Sequence, residues 1–168
     1  DAACRQHAWV LERSRYFLGI SHLDVESLDL VYGFELEFTG NRDAIVCNAL
    51  LEGSQLGWVL SQCKAIGQGN AVPLNCEPVI ILALDEECFL QARLALETRN
   101  SSYQVRTGCY DEEPISIYFT VRAYPRTGGR FDMGESLRYQ AEVGEDLVTR
   151  VVIPNVVRPI AAAIAAAQ

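Results

Sequence analysis

The stretch FLQARLALETRNSSYQVRTGCYDEEPISIYFTVRAY, residues 89–124, decides the fold. Leu90, Ala92, Leu94, Leu96 and Thr98 share one parity of the numbering, and Gln91, Arg93, Glu97 and Arg99 the other. The same two-residue rhythm returns in Ile115, Ile117, Phe119, Val121 and Ala123, set against Ser116, Tyr118, Thr120, Arg122 and Tyr124. Alternation of this kind puts an apolar face on a core and leaves a polar face outward. Good helix formers crowd 89–99, so a helix competes there; the parity favours a strand. Asn100-Ser101-Ser102 supplies a turn, after which Tyr103, Val105 and Thr107 alternate once more. Together with the continuous apolar run VIILALD at 79–85, which reads as a buried strand, the pattern predicts an antiparallel meander.

Working outward, SLDLVYGFELEF at 27–38 alternates over Leu28, Leu30, Tyr32, Phe34, Leu36 and Phe38, and predicts a further strand. Asn41 is placed to cap a helix running to about Leu51, with Asp43 in its first turn. Residues 2–19 form an N-terminal helix whose stripe holds His7, Val10, Leu11, Ser14, Phe17 and Leu18. In 53–77 the periodicity is weak: Leu56, Trp58, Val59 and Leu60 suit a short helix, and GQGNAVPLNCEP reads as loop. The tail is helical, with a seam of Leu137, Ala141, Gly144, Val148 and Val151; Pro154 should end that helix and a second, alanine-rich one should follow over 156–167. The expected fold is a single α+β domain, 1–168. It has a mostly antiparallel sheet (strands near 27–38, 79–84, 89–99, 102–108 and 114–124) and terminal helices packed on one face.

Composition narrows the function. A formal net charge of -8 argues against nucleic acid and against anionic membranes as partners. Val151 to Ala167 is interrupted by Pro154, Asn155, Arg158 and Pro159, so no segment is expected to span a membrane. The six cysteines include no CxxC pair, which leaves a structural zinc site without support and suits free, mostly buried thiols in a reducing, cytoplasmic setting. The chain has no GxxxxGK[ST] loop, and Gly67-Gln68-Gly69 lacks a third glycine. Ser21, His22 and Asp24 are too close in sequence for a catalytic relay and suit a turn. Cys109, beside Asp111, Glu112 and Glu113, sits where acids suppress a thiolate.

Two constellations remain. Arg93, Arg99, Arg106 and Arg122, with Tyr118 and Tyr124, fall on the outer face of the expected meander, fit to hold a phosphorylated ligand or an acidic partner segment. The competing reading is a self-paired surface, with Glu97, Asp29, Glu35 and Glu37 as counter-ions. The triplets Asp85-Glu86-Glu87 and Asp111-Glu112-Glu113 would converge at one end of such a meander and offer carboxylates to a divalent cation, Mg²⁺ or Ca²⁺. No other cofactor is expected.

Glu35-Leu36-Glu37 on the first long strand, with arginine-bearing strands after it, is similar to the start of the triphosphate tunnel metalloenzymes, whose ExExK lysine position is held here by Thr39. The resemblance implies a divalent-cation-dependent phosphoanhydride hydrolase with Glu35 and Glu37 as metal ligands and Arg93, Arg106 and Arg122 on phosphates. Because no complete catalytic set is visible, the leading expectation is instead a non-enzymatic interaction or assembly domain. It would engage a protein partner, or a second copy, through the arginine and tyrosine face or the C-terminal alanine helix.

Overall fold

The computed structural model describes residues 2–67, 71–126 and 131–168. Gln68 and Gly69 of the glycine pair, and Asn70 of the loop read after it, lie outside the described residues. The elements are, in order, α1 (Ala2–Phe17), β1 (Leu28–Glu37), α2 (Arg42–Leu51), α3 (Gln55–Ile66), β2 (Val79–Ala83) and β3 (Leu90–Glu97). Then come α4 (Ser102–Thr107), β4 (Pro114–Ala123), α5 (Met133–Leu147), a π-helical segment (Val148–Val157) and α6 (Arg158–Ala167). The fold class is α+β, with an antiparallel sheet of order β1-β4-β3-β2 and helical termini. Within 89–99 the chain is strand rather than helix, over Leu90–Glu97. The chain forms two compact units, one of Asp1–Tyr32, Ile80–Leu94 and Phe119–Thr149, the other of Gly33–Val79, Ala95–Tyr118 and Arg150–Gln168.

In the first unit the core is built on alternation. Leu90 and Ala92 from β3 and Phe119, Val121 and Ala123 from β4 are buried. Tyr32 of β1 meets Phe119 with ring centroids 6.5 Å apart. Helix α5 lies over this face. Its Gln140 is fully buried because the amide donates to the Leu28 and Val121 carbonyls, at 2.7 and 2.8 Å. Gly144 lies against the Tyr32 ring, 2.7 Å from where a Cβ would stand, so the close approach requires glycine. The inward stripe is therefore Met133, Leu137, Gln140, Gly144 and Val148, with Gln140 in the place expected for Ala141. Helix α1 packs against α5, yet buries no residue fully. Its half-buried side is Cys4, Ala8, Leu11 and Ser14, while His7, Val10, Phe17 and Leu18 face outward.

In the second unit α2 packs on α6 and α3 packs on α2. Asn41 caps α2 as expected, accepting from the Ala44 N–H at 3.1 Å. Ile45, Val46 and Cys47 meet a core that includes Ile160 and Ile164, so α6 contributes to its own unit's interior through its isoleucines while most of its alanines stay exposed. Helix α3 buries none of its residues, and Leu56, Trp58, Val59 and Ile66 remain exposed.

Three expectations are corrected. Residues 102–107 are a helix and not a strand: Ser101 and Gln104 form a reciprocal capping box, and Gly108 closes the turn at φ +71°. Local capping chemistry outweighs a three-residue alternation. The tail is not broken at Pro154. Met133–Ala167 is one continuous helix, and the proline sits inside its π-helical segment, whose wider turn makes room for a ring that clashes in a tight one. The inward residues then run Val148, Val152, Val156, Ile160, Ile164 at steps of four, leaving Val151 exposed. A regular α-helix drifts by about 40° at each such step, and the wider turn offsets part of that drift. By length and composition alone this helix is apolar enough to cross a membrane, which the proline-broken reading did not anticipate; 22% of its most apolar window is buried. Finally, β2 is a strand but is not buried. Val79, Ile80, Ile81 and Leu82 are 52, 51, 60 and 57% exposed, because β2 is the sheet edge, with β3 its one neighbouring strand among the described residues.

Candidate functional site

The six outer-face residues separate into local groups. In the first unit Arg122 is held by Asp29 in a bidentate pair, Nε and Nη2 donating at 2.7 and 2.6 Å, and its guanidinium stands 6.0 Å from the Tyr124 ring centroid. The hydrogen bonds to Asp29 push its pKa further up, so the cation is permanent and already paired. Arg93 is exposed on the same strand face. In the second unit Arg99 donates to Glu97 at 3.0 Å and to the Tyr118 hydroxyl at 3.4 Å. Arg106 is not on the sheet at all. It belongs to α4 and stacks on Tyr103 at 5.6 Å. Asp29 and Glu97 thus act as the counter-ions that a self-paired surface needs.

The two acidic triplets do not converge. Asp85 closes the β2–β3 turn by accepting from the Phe89 and Leu90 N–H groups at 2.8 and 3.1 Å, and Glu86 beside it is exposed. Asp111, in the other unit, accepts from the Gln104 amide at 2.7 Å. The convergence expected of the two triplets depended on a strand at 102–108, which is a helix. Glu35, Glu37 and Glu112, with Glu113, line a cleft of about 570 Å³. Among the described residues no group of three or more His, Cys, Asp or Glu side chains is arranged to hold a metal ion.

A polar cluster that the sequence did not reveal lies at the start of α2. Arg42 is fully buried and donates to four backbone carbonyls: Thr98 (2.6 Å), Asp111 (2.9 Å), Glu113 (3.0 Å) and Arg99 (3.4 Å). Buried Asp43 accepts from Thr98 Oγ1 (2.6 Å), the Cys76 N–H (2.7 Å) and Asn100 Nδ2 (3.0 Å). Glu77 accepts from the Thr98 N–H at 2.8 Å and the Arg99 N–H at 3.2 Å. Burial would raise the Glu77 pKa, but these backbone donors outweigh it and hold the carboxyl below its ordinary value. Burial first, then a hydrogen bond with Cys47 and the nearby Asp43 carboxylate, push the Cys76 thiol up to about 12, which makes it unreactive. While the buried Asn100 Oδ1 has no hydrogen-bond partner among the described residues, most of these polar groups are spent within the fold, so the cluster fastens loops to α2. Since most partners are backbone groups, no residue pattern could have signalled it. The sequon Asn100 is part of it, its amide nitrogen also donating to Asn41 at 3.1 Å.

Other sequence candidates are ordinary local structure. Asp24 accepts from the Ser21 N–H at 2.7 Å, and Ser21 Oγ accepts from the Leu23 N–H at 3.1 Å; together they make a turn, in which the Ser21 side chain first and its backbone N–H second lower the Asp24 pKa. All six cysteines are free, and Cys63, Cys88 and Cys109 are exposed where burial was expected.

What remains unspent is the edge of β2. Its five residues carry no charge and no polar side chain, and both faces are half open. A strand with one neighbour keeps a row of unpaired N–H and C=O groups along its outer side. Compared with protein-family models, curated proteins and solved structures, the chain matches none.

Proposed function

We propose that the chain is a non-enzymatic interaction domain whose principal binding element is the free edge of β2. The observation that carries this reading is the exposure of Val79–Leu82, 51 to 60% on an apolar strand with an unpaired backbone side. Protected edges are blunted by charge, proline or a covering loop; within Val79–Ala83 there is no charge and no proline, and the side chains are half exposed. The arginine and tyrosine face supports the reading less, since Arg122 and Arg99 already have carboxylate partners. The exposed alanines of α6 offer a secondary surface. The hydrolase alternative draws on Glu35 and Glu37, but the described lining of their cleft has four carboxylates and no arginine or lysine, a setting that repels polyphosphate.

Two measurements test this. Thermal unfolding with millimolar Mg²⁺ and tripolyphosphate should leave the midpoint unchanged; a rise of several degrees by linkage would establish the hydrolase reading instead. An apolar dye such as ANS should fluoresce with the native chain and lose a distinct part of that signal in the Ile81→Lys, Leu82→Lys double variant, the remainder coming from exposed apolar residues such as Phe17 and Trp58. Equal fluorescence from both proteins would remove β2 as the binding element.

A further inference from the structure

We infer that the occupant of the β2 edge is an extended apolar segment of a different protein, flanked by basic residues, rather than a second copy of this chain. The inference rests on the interaction reading above and adds the chemistry of the partner.

The backbone sets what can be accepted. At one end of β2 the Leu84 N–H donates to the Leu90 carbonyl at 2.8 Å; at the other the Leu96 N–H donates to the Pro78 carbonyl at 3.2 Å. Even-numbered residues therefore turn their polar groups toward β3. Successive residues of a strand alternate in this respect, so Val79, Ile81 and Ala83 point theirs outward. Pro78 lacks its N–H on the inner side, and no outward donor is missing. An added strand finds a full set of hydrogen-bond partners, the arrangement that β-augmentation exploits. Ile80 and Leu82 lie on one face and Ile81 on the other, all open, so the added strand gains apolar contacts on both faces.

Charge selects the occupant. Asp85, Glu86 and Glu87 follow β2 directly, and Glu77 precedes it. Glu86 is exposed, and Glu87 pairs with Arg126 at 3.7 Å, both side chains being largely exposed. A two-fold antiparallel pair of copies centred on Ile81 would set Glu77 of one chain opposite Asp85 of the other at both ends. Like charges directly opposed across strands are destabilising, and a chain of net charge -8 adds long-range repulsion. A segment with lysine or arginine at its ends meets the same edge with attraction.

The test uses the full chain and two fluorescent peptides of alternating valine and threonine, one closed at each end by two lysines, the other by two glutamates. By anisotropy at low salt, the lysine-ended peptide should bind at least about ten-fold tighter. Ile81→Pro should abolish binding while leaving the fold, because that residue's N–H faces outward and edge strands tolerate such a proline. Should that variant unfold, Ile81→Lys gives the same readout. Glu86→Lys should narrow the preference between the peptides. Equal binding of both peptides overturns the charge rule. A dimer in sedimentation that Ile81→Lys dissolves makes the second copy the occupant and overturns the inference. Failure of both peptides to bind a chain that keeps its β2-dependent dye signal overturns it too, and leaves the interaction reading standing.

Discussion

Strands β4 and β2 share isoleucine, valine and alanine side chains that end in opposite surroundings. In β4, Ile115, Ile117 and Val121 are fully buried; in β2, Ile81 is 60% exposed. β4 lies between β1 and β3, whereas β2 has one neighbour. Where β4 runs through the first unit, α5 also lies over it, anchored by Gln140 on the Val121 carbonyl. The comparison teaches that an apolar run encodes apolar faces and not their cover. Burial is a property of neighbours, and a strand becomes a binding element when the fold stops one neighbour short.

The contrast is open to breaking. The largest effect is expected from Ile117→Ala, which should cost about 3 kcal/mol by cavity formation and lower the melting midpoint by roughly 6–12 °C. Ile81→Ala should cost less than about 0.5 kcal/mol in the same assay. Equal losses would mean that β2 is covered in solution. Next comes the cover itself. Gly144→Ala sets a methyl where the Tyr32 ring stands, at 2.7 Å, and should destabilise by about 1–3 kcal/mol in urea unfolding. A neutral result would show that α5 can ride higher over the sheet. The smallest effect concerns Glu77, which precedes β2 and fastens onto β3's end through Thr98 and Arg99. Its pKa is depressed in the folded chain, so its stabilisation is present above the ordinary value of 4.5 and fades as pH falls through the lower folded value. Glu77→Gln should therefore flatten the acid limb of stability against pH. An unchanged limb would mean that other carboxylates carry it.

Much of the sheet was legible because its strands have a clean period of two. Leu28 to Phe38, Leu90 to Thr98 and Ile115 to Ala123 each sort by parity in the sequence; β1 keeps that sorting, whereas β3 also buries Ala95 and β4 also buries Ser116 and Thr120 from the parity expected outward. Residues 102–107 misled because six residues hold too few periods to tell a strand from a helical turn and a half. The capping pair Ser101 and Gln104, with Gly108 behind them, was the better signal. The candidate site was less legible. The sequence offers Asp29, Glu35, Glu37 and Glu97 alike as counter-ions, and only the fold shows that Asp29, ninety-three positions away, is the one that holds Arg122. Arg42 gives no signal in the sequence, because its four partners are backbone carbonyls that the fold assembles around it.

By itself, the sequence determined the α+β class, the strand parities, the cap at Asn41 and the uncharged character of Val79–Ala83. These follow from periodicity and from contacts within a few residues, which a linear chain carries openly. Only the tertiary structure decided that β2 would be the edge, that Pro154 would sit inside a continuous helix, and which charges would be paired. Those outcomes depend on which distant residues become neighbours, and on the free energy of burying one apolar face against another.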